Sequence, residues 1–342
     1  MNMPSQLNIS ELEALILRSI DQRYQIQATR NLADYIFSNH LFQSFPPEFL
    51  DFSFQYRREI AGYLADEQHL AALREYCIRS TKAYTYQRNQ FINFTQFYDE
   101  LLSAQYLDFL SQLRVALEQS DTIEALAKAY STVLQRHHQR LRLILSSYCL
   151  TYQPGDLQEN SLLKTVPCAE YSPQFQARLL GLDETEWLDP ILDIGCGQSG
   201  KLVKYLSEKG YTAIGLDRLG PPLPNFIQQN WFEFDYGVGQ WGTIIAHQSF
   251  STHFIHAHLH HPGNAEEFAK LYMRILSALR RGGTFCYAPG LPFVEHHLEK
   301  VAGYSISKTV IEADQILGIG EVFYSVKVRS LSLVKESRVR LQ

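Results

Sequence analysis

Apolar residues near the start of the chain recur at three- and four-residue steps, as at Leu12 and Ile16. This spacing places apolar side chains on one face of an α-helix. Residues 48–153 contain no proline, and Gly62 is the only glycine in the first 150 residues. A run without helix breakers that is rich in Leu, Ala, Gln, Arg and Glu favours helices. We therefore predict an all-helical N-terminal domain over residues 1–150.

The pattern changes in the second half of the chain. Residues 151–160 are polar and include a Pro-Gly pair, which is typical of a linker. Short apolar runs and amphipathic segments then succeed one another, as in an α/β domain. Residues 304–311 and 322–334 alternate apolar and polar positions, which predicts a closing antiparallel pair of strands. We assign residues 161–342 to this second domain.

The candidate chemistry of the second domain is concentrated in residues 190–218. An apolar run is followed by Gly195, Gly197 and Gly200, then by an amphipathic segment and a second apolar run that ends at Asp217. Glycines at such a turn permit positive φ and close approach of a ligand, and the acid can bind both ribose hydroxyls. The glycines also match the G-x-G-x-x-G pattern, so a dinucleotide-binding enzyme is one alternative.

Asp193 separates the alternatives, because a carboxylate two residues before the first glycine repels a pyrophosphate and suits a cationic amino group. The sequence D-I-G-C-G resembles motif I of the class I S-adenosylmethionine (SAM) methyltransferases. Over about residues 160–335 the resemblance implies a Rossmann-like, seven-stranded SAM-binding sheet with helices on both faces. It also implies that Asp193 lies near the methionine moiety, that Gly195 and Gly197 pass beneath the cofactor, and that Asp217 holds the ribose.

The same resemblance implies further cofactor contacts. Asn230 stands where the family often carries an acid that faces the adenine amino group, and the Trp231 ring could stack on the adenine. Asp235 is the alternative for the amino contact. Arg218, which follows the ribose acid, and His247, at the end of the expected fourth strand, complete the candidates.

In many class I methyltransferases the segment before motif I folds over the methionine side of the cofactor. Tyr171 and Arg178 are the candidates in this chain, with Tyr171 as a catalytic candidate. The Arg178 guanidinium could pair with the cofactor carboxylate. A solvated position on a helix is the alternative for Arg178.

Histidines are concentrated beyond the expected fourth strand: eight of the twelve lie between His247 and His297, and five lie within residues 253–261. Imidazoles at these spacings could converge on a metal. No cysteine or paired carboxylate lies nearby in sequence, so we predict no metal. A near-neutral imidazole also suits a general base, for which His253 is the candidate. Surface or core positions are the third interpretation.

Composition limits the partners and the compartment. The formal net charge of −5 gives no general attraction to nucleic acid or to anionic membranes. The five cysteines are scattered without a C-x-x-C pair, as is usual for reduced thiols. No apolar run has the length of a membrane span, and the first residues do not resemble a signal peptide. We expect a soluble cytoplasmic protein that binds neither nucleic acid nor membrane and could form a homodimer.

These observations lead to a functional hypothesis, methyl transfer from SAM to oxygen or nitrogen of a small molecule, with the helical domain closing over the active site. The sequence His247-Gln-Ser-Phe stands where amide and adenine N-methyltransferases carry N-P-P-[YF], which argues against those acceptors. One alternative resembles nicotianamine synthase, which moves the aminobutyrate arm of SAM and releases methylthioadenosine. A second alternative is a non-catalytic SAM-binding interaction module.

Overall fold

The chain folds into two compact units, residues 1–168 and 169–342. The computed structural model describes residues 7–26, 30–38, 45–166, 171–181, 187–260, 262–311 and 324–331. Each unit is described separately below. Across this described part of the chain, no helix combines the length and the apolar composition needed to cross a lipid bilayer.

The first unit is helical, as predicted. Its helices are α1 (Ile9–Ile26), α2 (Leu32–Phe37), α3 (Pro47–Gln55), α4 (Arg57–Ala65), α5 (Glu67–Arg88), α6 (Gln96–Gln119) and α7 (Ile123–Tyr152). Short polar side chains fix where the helices begin. Asn8 and Glu11 exchange backbone-to-side-chain hydrogen bonds at the start of α1, and Asp66 accepts the His69 N–H at the start of α5.

Aromatic side chains contribute much of the core of this unit. The Tyr148 ring on α7 lies edge-on to Phe94 and to Tyr98, with ring centres 5.0 Å and 5.1 Å apart. Perpendicular rings at such distances add a favourable quadrupole interaction to the burial of apolar surface. The helical spacing of aromatic residues in α6 therefore serves packing.

The second unit contains a seven-stranded sheet with the strand order β3-β2-β1-β4-β5-β7-β6, which confirms the predicted seven-stranded, Rossmann-like sheet. Strands β1 to β5 are parallel, and β7 runs antiparallel to both of its neighbours. The strands are β1 (Ile191–Ile194), β2 (Ala213–Leu216), β3 (Phe226–Ile227), β4 (Trp241–His247), β5 (Leu279–Ala288), β6 (Tyr304–Val310) and β7 (Tyr324–Ser330).

Helices cover both faces of this sheet, also as predicted. They are α8 (Pro173–Leu179), α9 (Lys201–Glu208), α10 (Phe250–His260), α11 (Pro262–Ala278) and α12 (Pro292–Leu298). Leu192 and Ile194 pack into the cluster that contains α10 and α11. Ile191 and Ile245 pack into the opposite cluster, which contains α8 and α9. Because neighbouring residues on a strand face opposite sides, a fully apolar strand such as β1 serves both layers.

Candidate functional site

The candidate site is built at the carboxyl ends of β1, β2 and β4. Strand β1 pairs with β2 on one side and with β4 on the other, so the strand order reverses at β1. In open α/β sheets this reversal leaves a crevice at the carboxyl edge, where ligands bind. Asp193 lies in β1 directly before this edge, opposite Gly215 of β2 and Ile245 of β4.

The Asp193 carboxyl group is almost completely buried, with 2% of the residue exposed. Its Oδ2 atom has no hydrogen-bond partner among the residues that the structure describes. Burial, assisted by the negative charge of Asp217, raises the pKa of Asp193 to about 7. A buried carboxylate without a partner is costly, and a cationic ligand group would relieve that cost.

Three glycines form the turn that follows β1. Gly195, Gly197 and Gly200 have φ values of 75°, 76° and 56°, in the left-handed region that favours glycine. A Cβ on Gly195 would lie 2.4 Å from the Cβ of Ser249, and a Cβ on Gly200 would lie 2.0 Å from the Phe226 ring. The turn therefore needs glycine both for its backbone conformation and for its close packing.

Asp217 follows β2 and points back to the glycine turn. Its Oδ2 accepts the N–H of Gly197 at 3.1 Å, and its Oδ1 accepts the N–H of Leu219 at 2.7 Å. These two bonds fix the carboxylate between the turn and the chain after β2. The structure thus brings Asp217 together with the motif I glycines, as the ribose role requires.

The residues assigned to the adenine contact differ in their surroundings. The Trp231 ring approaches the glycine turn, since its Cζ2 would be 3.0 Å from a Cβ on Gly195. The Asn230 side-chain oxygen accepts the N–H of Phe232 at 3.2 Å. Asp235 is exposed, and its Oδ1 accepts the N–H of Gly237. Trp231 is therefore the better placed of these candidates beside the turn.

His253 lies on helix α10, and its ring is 5.0 Å from the Trp231 ring at an angle of 72°. Burial lowers its pKa well below the usual value, and the positive charges of Arg218 and His256 lower it further. The imidazole is therefore neutral at physiological pH. Arg218 and His253 thus lie close enough in space to interact, although they are distant in sequence.

His247 ends strand β4 and is 8% exposed. Its Nε2 is buried without a hydrogen-bond partner among the described residues, and burial lowers its pKa to about 4. The Tyr171 ring lies edge-on to it at 5.2 Å, and the Phe175 ring does so at 6.2 Å. Tyr171 and His247 were predictable site residues, whereas Phe175 carries no chemical signal of its own in the sequence.

Arg178 lies in the last turn of α8, and its guanidinium carbon is 5.8 Å from the centre of the Phe175 ring. The residue is exposed. Phe175 thus connects Arg178 with the Tyr171 and His247 pair. This contact is a cation–π interaction, and the role of Arg178 toward a cofactor carboxylate stays a prediction.

The end of β4 holds two features that position the crevice. Gln248 has φ of 48°, which is unusual for a residue other than glycine, and its N–H donates to the Ala288 carbonyl at 2.8 Å. The Ser249 hydroxyl donates to the Ile194 carbonyl at 2.6 Å. Left-handed strain of this kind is common at ligand sites, and the bond from Ser249 fixes β4 against the end of β1.

The histidine cluster mostly lies on α10. His258 stacks on Phe293 at 4.0 Å, and the rings of His256 and His260 are 4.8 Å apart. His261 lies outside the described residues. Within the described ranges, no group of three or more His, Cys, Asp or Glu side chains could hold a metal ion.

No protein-family model matches the chain, and no curated protein sequence matches it significantly. Several solved structures match about half of it. A 1,6-didemethyltoxoflavin-N1-methyltransferase from Burkholderia thailandensis is 16% identical, with 47% of this chain and 76% of that chain covered and a TM-score of 0.33. A putative SAM-dependent methyltransferase from Listeria monocytogenes is 12% identical, with 47% of this chain and 100% of that chain covered and a TM-score of 0.34.

The glycopeptide N-methyltransferase MtfA is 11% identical, with 47% of this chain and 94% of that chain covered and a TM-score of 0.31. The structures that the chain matches in this way are SAM-dependent methyltransferases. At these identities and TM-scores the similarity adds no argument about activity.

Proposed function

We propose that the second unit binds SAM and that the protein transfers the SAM methyl group to oxygen or nitrogen of a small molecule. The observation that carries this proposal is the buried Asp193 carboxyl group, whose Oδ2 has no partner among the described residues. It lies at the carboxyl edge of β1, directly before the glycine turn, and Asp217 is bonded to the same turn.

The chemistry of this pair of acids fits SAM better than a dinucleotide. A second carboxylate beside the turn would repel a pyrophosphate, whereas the amino group of SAM is a cation that Asp193 can bind directly or through water. In this arrangement Asp193 holds the amino group, Gly195 and Gly197 allow close approach, and Asp217 binds the ribose hydroxyls. Trp231 provides an apolar surface for the adenine.

When bound, SAM supplies a methyl group that the positive charge on its sulfur activates. The residues of the chain have to orient the acceptor, exclude water and accept its proton. His253 is our candidate for the base and Tyr171 for the second catalytic group. His247 lies beside Tyr171 and, because its pKa is about 4, presents a neutral imidazole. We further propose that the helical unit closes over the active site and selects the acceptor.

Asp217→Asn tests the ribose contact. Loss of the charge-assisted bonds to the ribose should weaken binding of S-adenosylhomocysteine by about 2 kcal/mol, or roughly 30-fold, in calorimetric titration. Glu208→Gln is the matched control, because Glu208 is an exposed acid of the same unit with no assigned contact to the cofactor. An Asp217→Asn variant that binds as tightly as the wild type would contradict the assignment, and so would wild-type binding of NAD in preference to S-adenosylhomocysteine.

Binding of S-adenosylhomocysteine should also depend on pH through Asp193. The free protein holds a proton on this carboxyl group below pH 7, and only the ionised form suits the cationic amino group. Affinity should therefore rise about 20-fold from pH 5.5 to pH 7.5, as linkage with a pKa of about 7 requires. His247 adds no charge in this range, because its pKa is about 4. Calorimetry at the two pH values measures the effect, and Asp193→Asn should abolish it.

The products of turnover show which bond of SAM is broken. Incubation with SAM and a panel of small acceptors, followed by mass spectrometry, should yield S-adenosylhomocysteine and a methylated acceptor. Release of methylthioadenosine would instead indicate transfer of the aminobutyrate arm. Binding without either product would favour the non-catalytic module.

A further inference from the structure

The helical unit contains a partly open cavity of about 600 Å³, and each of its helices from α1 to α7 contributes to the lining. Cavities of this size hold drug-sized ligands. The interior of a folded domain is normally close-packed, with few voids larger than a water molecule. A void on this scale is therefore a candidate binding site, and every lining residue belongs to the first unit.

Aromatic rings form part of the wall of this cavity, among aliphatic side chains. The lining includes Tyr35, Phe45, Phe49, Tyr84, Phe109 and Tyr130. The rings of Phe45 and Phe49 stack 4.8 Å apart, and Phe45 is 5.2 Å from Tyr130. Phe45, Phe49 and Phe109 each keep part of their surface accessible. Flat apolar surfaces of this kind favour a planar aromatic ligand, which can stack on the rings or meet them edge-on.

A cluster of hydroxyl groups interrupts the apolar wall. The Tyr24 hydroxyl lies 2.6 Å from the Thr81 hydroxyl and 3.2 Å from the Tyr106 hydroxyl. Burial raises the pKa of Tyr24 to about 12, so this cluster carries no charge at physiological pH. Such groups can orient a ligand by hydrogen bonding without repelling an anion.

The charge of the lining is positive. Its charged residues among those the structure describes are Arg18, Arg23, Arg30 and Glu48. Arg23 is half-buried: its Nη2 is 3.3 Å from the His138 Nε2, and its guanidinium is 5.1 Å from the centre of the Phe45 ring. Burial lowers the pKa of His138 to about 3, so the imidazole is neutral and the positive charge belongs to the arginines.

We propose that the helical unit binds a planar aromatic anion in this cavity, with its rings among the aromatic side chains and its anionic group at Arg23. The site is separate from the SAM crevice and does not depend on the methyltransferase proposal. A guanidinium in low-dielectric surroundings binds a carboxylate or sulfonate through charge-assisted hydrogen bonds. The surrounding rings supply apolar contact area on the scale of a two- or three-ring molecule.

The test uses the full chain, with and without excess S-adenosylhomocysteine, and the cavity variants described below assign the probe signal to this site. Two fluorescent probes share one ring system: 8-anilinonaphthalene-1-sulfonate is an anion, and N-phenyl-1-naphthylamine is neutral. Both should bind the wild type at one site. Arg23→Gln should weaken binding of the anionic probe about tenfold and binding of the neutral probe less than about twofold, because only the charge-assisted bonds are lost. Arg79→Gln, an exposed arginine of the same unit outside the lining, should change neither.

A second variant tests the cavity itself. Ser19 lines the cavity and is half-buried, so Ser19→Trp should fill part of the volume and exclude both probes. If circular dichroism shows lost helix, Leu141→Trp on α7 replaces this variant. Failure of the wild type to bind either probe would overturn the proposal, and so would equal loss of both probes in a folded Arg23→Gln variant. Displacement of the probe by laurate but not by 2-naphthoate would instead identify a lipid cavity.

Discussion

Replacing Asp193 with asparagine is expected to stabilise the second unit at pH 8 while it weakens SAM binding. In the folded protein the pKa of Asp193 is about 7, above the usual value of 3.8 for an aspartate. Between about pH 4 and pH 7 the native state therefore holds a proton that the unfolded chain has already released. Stability falls as pH rises through this window, and the full cost of the buried charge is present above pH 7.

The expected size follows from the shift in pKa. Each unit corresponds to about 1.4 kcal/mol, so the buried charge costs up to about 4 kcal/mol above pH 7. Because the amide of asparagine is also buried, we expect the variant to gain roughly 2–4 kcal/mol at pH 8 and about 2.5 kcal/mol less than that at pH 5. Binding of S-adenosylhomocysteine should weaken by about 3 kcal/mol, or roughly 150-fold, since the cationic amino group loses its counter-charge.

Urea unfolding at pH 5 and pH 8, followed by tryptophan fluorescence, measures the change in the free energy of unfolding of the second unit. All three tryptophans lie in that unit, at positions 187, 231 and 241. Tryptophan fluorescence therefore follows the unit that contains Asp193. Glu208→Gln is the control, since an exposed acid should change stability by less than about 0.5 kcal/mol. A loss of stability at pH 8 in Asp193→Asn would show that the carboxylate has a native partner.

Gly195→Ala is expected to abolish detectable binding of S-adenosylhomocysteine and to destabilise the second unit by about 3 kcal/mol. The backbone at φ of 75° costs an alanine about 1 kcal/mol. The added Cβ would lie 2.4 Å from the Ser249 Cβ, so the end of β4 must shift, which adds about 1–3 kcal/mol of overpacking. That shift also moves the crevice in which the cofactor is to bind.

Gly282→Ala separates these two contributions. Gly282 has φ of 78°, almost the same as Gly195, but no atom lies within 4 Å of the added Cβ. This variant should cost only about 1 kcal/mol and should bind S-adenosylhomocysteine normally. Equal stability losses in the two variants would show that the contact with Ser249 contributes nothing.

Several elements were predictable because their signals are local. The apolar runs, the glycine spacing and the acid at Asp217 predicted the unit from β1 to β2. The alternation at residues 304–311 predicted β6. These patterns succeed because strand periodicity and turn chemistry act over a few residues.

The sequence by itself determined the helical first unit, the strand–glycine–helix–strand unit and the presence of two acids beside one turn. Only the tertiary structure decided that Asp193 Oδ2 is buried without a partner among the described residues, and that His247 meets Tyr171 and Phe175. The tertiary structure also decided the cavity of the first unit, because all seven helices, which together span residues 9–152, line it. Burial, pKa and void volume depend on which distant segments pack together, and no local periodicity encodes that.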